Sequence, residues 1–207
     1  MTRSQAVGEL IQLFESEAKS DRDPAETPEI GIVMGSDSDL DTMYGAYEAL
    51  TELGFEEVTD YDDPPEARFS FETFVVSAHR TPELMYAYAE TARDRGLDVI
   101  IAGAGGKSAD LPNMTASIAY PIPVVGVPVQ EKSVDSVLGM PTGAPIVVVD
   151  AGKSFNAALS AVQMLSRGHP ELEDRLDDFH DDLQDEVGTV SARLHREGTE
   201  TFRASRE

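Results

Sequence analysis

The sequence predicts an α/β protein built on a parallel sheet. Three observations lead there. Short apolar runs alternate with segments whose apolar residues recur every three to four positions, the pattern of strands alternating with helices. The runs are continuous rather than alternating, as in strands covered on both faces. Several of them empty into turns rich in glycine or serine that open the next helical segment.

Each element follows in order. Residues 1–19 carry Val7, Leu10, Ile11, Leu13 and Phe14 at helical spacing, and the polar stretch 20–28 with its two prolines reads as a linker. A strand is predicted at about 30–34 (Ile30-Gly31-Ile32-Val33-Met34) and a helix over 39–53 (Leu40, Met43, Ala46, Tyr47, Leu50, Leu53). Residues 56–68 are acidic and proline-bearing and read as a surface insertion. A strand over about 69–77 leads to a helix over 82–95 (Met85, Tyr88, Ala89, Ala92), then a strand over 98–102. A short helix near 110–119, a strand over 123–127, a helical turn near 133–139, a strand over 145–149 and a helix over 153–166 complete the core. Leu172, Leu176, Phe179, Leu183, Val187, Val190 and Leu194 make residues 170–197 one amphipathic helix with a carboxylate-rich opposite face, suited to oligomer contacts or core packing. Right-handed crossovers are expected between parallel strands. The order of the strands is not readable from pattern.

Charge narrows the function. The chain of 207 residues has 39 acidic against 16 basic side chains, a formal charge of −23. That argues against binding nucleic acid or an anionic membrane. It makes the compact state repel itself at low salt, a repulsion largely removed at ~1 M, where screening reaches only about 3 Å. Acids spread along the whole chain point to a high-salt cytoplasm rather than to one acidic tail. Only four lysines occur, Lys19, Lys107, Lys132 and Lys153, and three of them stand in or beside loops, where anion contact is a reason to keep them. There is no cysteine, so disulfides and thiolate chemistry are excluded. No signal pattern and no apolar run of membrane-spanning length is visible, and a cytoplasmic protein is expected. His169, His180 and His195 are too far apart to suggest a metal cluster; no metal and no cofactor are expected.

The chemistry concentrates in Ser77-Ala78-His79-Arg80-Thr81-Pro82. This string sits where a strand turns into a helix, the edge at which open α/β sheets bind ligands. The helix N-terminus suits a phosphate, and Arg80 can grip the same phosphate with a two-pronged donor set. His79 is of the residue type that moves protons near neutral pH. The same residues also serve plain local structure, with Ser77 as a helix cap and Pro82 in the first turn. Two further strand ends resemble it in composition: Gly35-Ser36-Asp37-Ser38-Asp39 and Gly103-Ala104-Gly105-Gly106-Lys107-Ser108. The glycines let backbone N–H groups approach a ligand, but their spacing is neither the dinucleotide fingerprint nor a P-loop.

These strings, with Pro-Val-Val-Gly-Val-Pro-Val at 123–129 and Ala-Gly-Lys-Ser-Phe-Asn-Ala-Ala at 151–158, occur in an order that resembles the PurE family over about residues 29–166. That family comprises N5-carboxyaminoimidazole ribonucleotide mutase and the related phosphoribosylaminoimidazole carboxylase of purine synthesis. The resemblance implies a flavodoxin-like three-layer sandwich and a nucleotide-binding catalytic domain at 29–168; the helical spacing outside it marks a helical extension and linker at 1–28 and an acidic C-terminal helix at 169–207. The resemblance also implies an aminoimidazole ribonucleotide substrate, CO2 or a carboxylated form of that substrate, and a homo-octamer. His79 would be the acid/base. Ser38, Ser77 and Arg80 would bind the phosphate, Asp39 would accept from ribose hydroxyls, and Ser36 would lie near the nucleotide. Ala104, Gly105, Gly106, Lys107 and Leu111 would complete the substrate site, the small residues walling a dry pocket for CO2. The loop Gly105 to Met114 is one residue longer than the bacterial mutase pattern, lacks its histidine and gains Lys107. The mutase is the favoured activity, direct carboxylation the alternative, and a non-catalytic binding protein for a phosphorylated ligand the competing class.

Overall fold

The computed structural model describes residues 4–206. Contacts divide the chain into two compact units, one ending at Leu165 and one beginning at Ser166.

In the first unit six parallel strands form one sheet: β1 (Ile30–Met34), β2 (Glu56–Glu57), β3 (Ser70–Val75), β4 (Val99–Ala104), β5 (Val124–Pro128) and β6 (Val147–Val148), in the order β2-β3-β1-β4-β5-β6. Leaving out the two-residue edge strand β2, this is the doubly wound order of flavodoxin-like sheets, with β1 flanked by β3 and β4. The chain reverses its winding direction at β1, so a crevice opens beyond the carboxyl ends of β1, β3 and β4. β1 and β4 are buried at every position, as continuous apolar runs require.

Helices cover both faces. α1 (Gln5–Glu17), α3 (Pro82–Thr91) and α4 (Leu111–Ile118) pack together on one side, and α2 (Leu40–Glu52) packs on α6 (Ser154–Leu165) on the other, with α5 (Val134–Leu138) beside β5. α1 is no loose appendage. Phe14 is fully buried, edge-on to Phe74 at 4.9 Å and to Tyr88 at 5.3 Å, with the Arg95 guanidinium 4.8 Å from its ring centre. α3 stops at Thr91, four residues short of the predicted end. The chain turns there at Gly96 in a left-handed conformation (φ +94°), and Arg95 is drawn inward.

The segment 56–68 departs most from expectation. Glu56 and Glu57 add an edge strand to β3, and the Val58 N–H donates to Phe71 O at 2.7 Å. Val58 and Tyr61 are buried, while Glu56, Asp60, Asp62, Asp63 and Glu66 lie at the surface. The cause is Glu72, fully buried on β3: it pairs with Arg95 at 2.5 Å and accepts the Tyr61 hydroxyl, so the segment folds over a charge that would otherwise be partly unsatisfied. Two glutamates carry no strand signal, which hides β2 in the sequence.

The second unit consists of α7 (Pro170–Glu197) and α8 (Thr199–Ala204), joined at Gly198 (φ +78°). The predicted helix over 170–197 is present; α8 was not predicted. The Phe202 ring lies under Arg193, whose guanidinium also donates to Ser205 Oγ at 2.9 Å.

Candidate active site

Four strand ends meet at the crevice, and backbone groups tie them together. Gly35 N–H after β1 donates to Gly103 O in β4 at 3.1 Å, Val76 N–H after β3 donates to Met34 O at 2.9 Å, and Val129 N–H after β5 donates to Ala104 O at 3.0 Å. The Ser77–Pro82 turn is stapled internally. Ser77 N–H donates to Thr81 Oγ1 at 3.0 Å and Arg80 N–H to Ser77 Oγ at 3.2 Å, so Ser77 caps the turn as well as facing the crevice. Arg80 reaches across with Nη2 to donate to Gly35 O at 2.9 Å, which fixes the β3 turn to the β1 turn.

Between these turns lies a cavity of about 330 Å³, within the usual range for a small-molecule site. Of the predicted residues, Ser36, Ser38, Asp39, Ser77, His79, Ala104, Gly105, Gly106 and Leu111 line it. Lys107 is exposed and outside the lining, because Gly106 turns the chain away through φ +87°. Arg80 is also outside the lining, but its guanidinium is anchored at the rim through Gly35. Lys132, Gln130, Ser108 and Asp110 line the cavity without having been singled out as site residues. For Lys132 the signal was the scarcity of lysine. For the others it was their place just beyond the β4 and β5 motifs.

Asp39 supplies the buried charge. It stands at the N-terminus of α2 without a side-chain capping bond there. Burial pushes its carboxyl above the usual range, while N–H donation from Ser36 and Gly105, the Arg80 charge and Gly35 N–H pull it back. The result is an acceptor held rigidly between the β1 and β4 turns. Ser36 also has a local role, capping the 3-10 turn over Asp37–Asp39. His79 Nε2 and Asp110 Oδ2 lie 3.0 Å apart, a pair of opposite charges only when the imidazole is protonated. Among the described residues, no group of three or more His, Asp or Glu side chains is placed to hold a metal ion. No helix of the described residues is long and apolar enough to cross a membrane.

Such a cavity is lined by serine hydroxyls, a buried carboxylate, an imidazole and small residues, with a guanidinium at its rim. It can bind a phosphorylated, hydroxylated ligand and move a proton on it.

Comparison with known proteins agrees. The family model described as AIR carboxylase matches residues 29–186. N5-carboxyaminoimidazole ribonucleotide mutase of Mycobacterium tuberculosis is 46% identical over 177 residues, covering 83% of this chain and 92% of that one. The chloroplastic phosphoribosylaminoimidazole carboxylase of Vigna aconitifolia is 39% identical over 199 residues, covering 93% of this chain but 33% of that one. The crystal structure of Treponema denticola PurE superposes with a TM-score of 0.66 at 21% identity, over 81% of this chain and 98% of that one, and so shares the fold. The chain belongs to the AIR carboxylase family.

Proposed function

We infer that this protein is an N5-carboxyaminoimidazole ribonucleotide mutase of purine biosynthesis, moving a carboxyl group from the exocyclic nitrogen to C4 of the imidazole. The observation that carries the reading is the 46% identity to a mutase across nearly that protein's whole length. Direct carboxylation is the weaker reading, because the carboxylase relative is less similar, at 39% identity.

The cavity suits the reaction. Ser38, Ser77 and Arg80 hold the phosphate, and Asp39 accepts from the ribose hydroxyls. Ala104, Gly105 and Gly106 leave space against the ring for a free CO2 molecule, and Gly106 offers its N–H to a carboxylate, the Gly105 N–H being held by Asp39. The N–C bond to the carboxyl breaks, the nitrogen takes a proton, and C4 attacks the retained CO2. The C4 proton then leaves. One proton is consumed and one released, so a single acid/base suffices, and His79 is the imidazole at the cavity. Lys132 adds a cation to the lining in a chain that has few. The exposed apolar stripe Leu183, Val187, Val190 and Leu194 on α7 supports assembly into the expected octamer, which light scattering in high salt measures.

The test is conversion of N5-carboxyaminoimidazole ribonucleotide by the wild type and by His79→Asn. The variant is expected to keep fold and nucleotide binding and to lose at least a hundredfold in kcat, the lower range of acid/base contributions. Retention of more than about a tenth of the activity, only ~1.4 kcal/mol in the barrier, removes His79 from that role. Binding without turnover in both proteins identifies a binding module instead.

A further inference from the structure

Asp110 stands immediately before α4, where an aspartate ordinarily accepts N–H bonds from the helix's first turn. Its side chain makes no such bond. Oδ2 instead lies 3.0 Å from His79 Nε2, and Oδ1 accepts from Ser136 Oγ at 3.4 Å. Ser136 is held in turn, because its carbonyl accepts from Asn113 Nδ2, one turn into α4, at 2.8 Å. The carboxylate is therefore supported from α4 and α5 and directed from the β4 loop toward the β3 turn. Both His79 and Asp110 line the cavity.

We propose that Asp110 is the positioning residue for His79. By accepting the Nε2–H it selects the neutral tautomer protonated at Nε2, fixes the ring plane, and leaves the Nδ1 lone pair as the working base. The inference rests on the mutase reading. Turnover starts from the imidazolium, protonated at both nitrogens: Nδ1 gives its proton to the nitrogen that loses the carboxyl, which leaves the neutral tautomer protonated at Nε2, and Nδ1 then takes the proton from C4 and regenerates the imidazolium. The Nε2 proton stays on the imidazole throughout, facing the Asp110 carboxyl. Stability is not the reason for the pair: the two side chains are 61% and 44% exposed, and pairs so open to water contribute little to folding. Orientation is what the contact provides.

The experiment compares the wild type, Asp110→Asn and Asp110→Glu with N5-carboxyaminoimidazole ribonucleotide as substrate at fixed salt. An asparagine side chain offers an oxygen or an amide N–H with similar ease and no longer selects a tautomer. Asp110→Asn is expected to lower kcat ~10- to 100-fold, below the full general-base contribution, with KM within about threefold. Asp110→Glu restores the carboxylate and most of kcat. In parallel, nitrogen-15 histidine spectra at about pH 8.5, where an ordinary imidazole is neutral, report the tautomer. The His79 signals are identified by their loss in His79→Asn, since the chain has four histidines. The expected result is protonation at Nε2 in the wild type and a mixture in Asp110→Asn. An unchanged kcat, or the same tautomer in both proteins, overturns the proposal. If the wild type has no mutase turnover but Asp110→Asn still changes the tautomer, the mutase reading falls and the pairing stands.

Discussion

Arg80→Ala tests how the phosphate end of the cavity is built. A guanidinium has five N–H donors. In this structure Nη2 already donates to Gly35 O at 2.9 Å, and Nε points at Ser77 Oγ at 3.5 Å, the limit of a hydrogen bond. Three donors remain, enough for a two-pronged grip on a phosphate. Each hydrogen bond to a charged group contributes ~1.5–3 kcal/mol. Arg80 is exposed, so water competes and the lower end applies. A net loss of about 2 kcal/mol predicts a KM raised ~30-fold. Because the phosphate does not react, its binding is the same in ground and transition states, and kcat is expected to stay within about threefold. Arg80→Lys separates two contributions. It keeps the charge but cannot both hold Gly35 and grip the phosphate, so an intermediate rise is expected. Initial rates against substrate concentration at fixed salt give both constants. A KM within twofold of wild type in Arg80→Ala would refute the reasoning and leave the guanidinium only a brace between two turns.

Two further outcomes follow from the packing and the charge. Phe14→Ala removes a fully buried ring between Phe74, Tyr88 and Arg95, and should cost ~3–5 kcal/mol, read as a fall of roughly 6–20 °C in melting temperature; a fall under 2 °C would mean that α1 is dispensable to the core. Burial raises the carboxyls of Asp39 and Glu29 above their ordinary values, so the folded state takes up their protons before the unfolded state does. Stability should therefore rise as pH falls from 7 through those raised values, and the gain should be complete once the pH is below the ordinary carboxylate range, about 4. At low ionic strength the −23 charge adds to the same trend, and ~1 M salt should raise the melting temperature at pH 7 and leave mainly the buried part of the pH dependence. A melting temperature flat in salt would contradict the high-salt reading, and one that falls steadily from pH 7 to 5 would contradict the buried-carboxylate account.

The parallel sheet was legible because β1, β4 and β5 are continuous apolar runs, β3 carries Phe71, Thr73, Phe74 and Val75 around Glu72, and all four end in turns of distinctive composition. Strand order was not, since register between parallel strands leaves no local pattern. β2 escaped notice because its stability comes from pairing with β3 and from the Glu72 network across the fold. The site was legible to the extent that it is made of strand-end motifs: Ser36, Ser38, Asp39, Ser77, His79 and the β4 glycines all reach the cavity. Lys107 drew attention by its charge, yet the positive φ of Gly106 carries it outside the lining. Asp110 and Lys132 went unassigned because their relation to His79 and to the cavity exists only once the β3, β4 and β5 loops converge.

The central claim is that the carboxyl group stays with the enzyme as it moves from nitrogen to carbon. Its most direct test is turnover of N5-carboxyaminoimidazole ribonucleotide in carbon-13 bicarbonate, followed by mass spectrometry of the product. A mutase that retains CO2 in the cavity between His79 and the Ala104–Gly106 wall yields 4-carboxy-5-aminoimidazole ribonucleotide carrying little label. Rapid labelling of product, with equally fast formation from unsubstituted aminoimidazole ribonucleotide and bicarbonate, would contradict the account and make the protein a direct carboxylase.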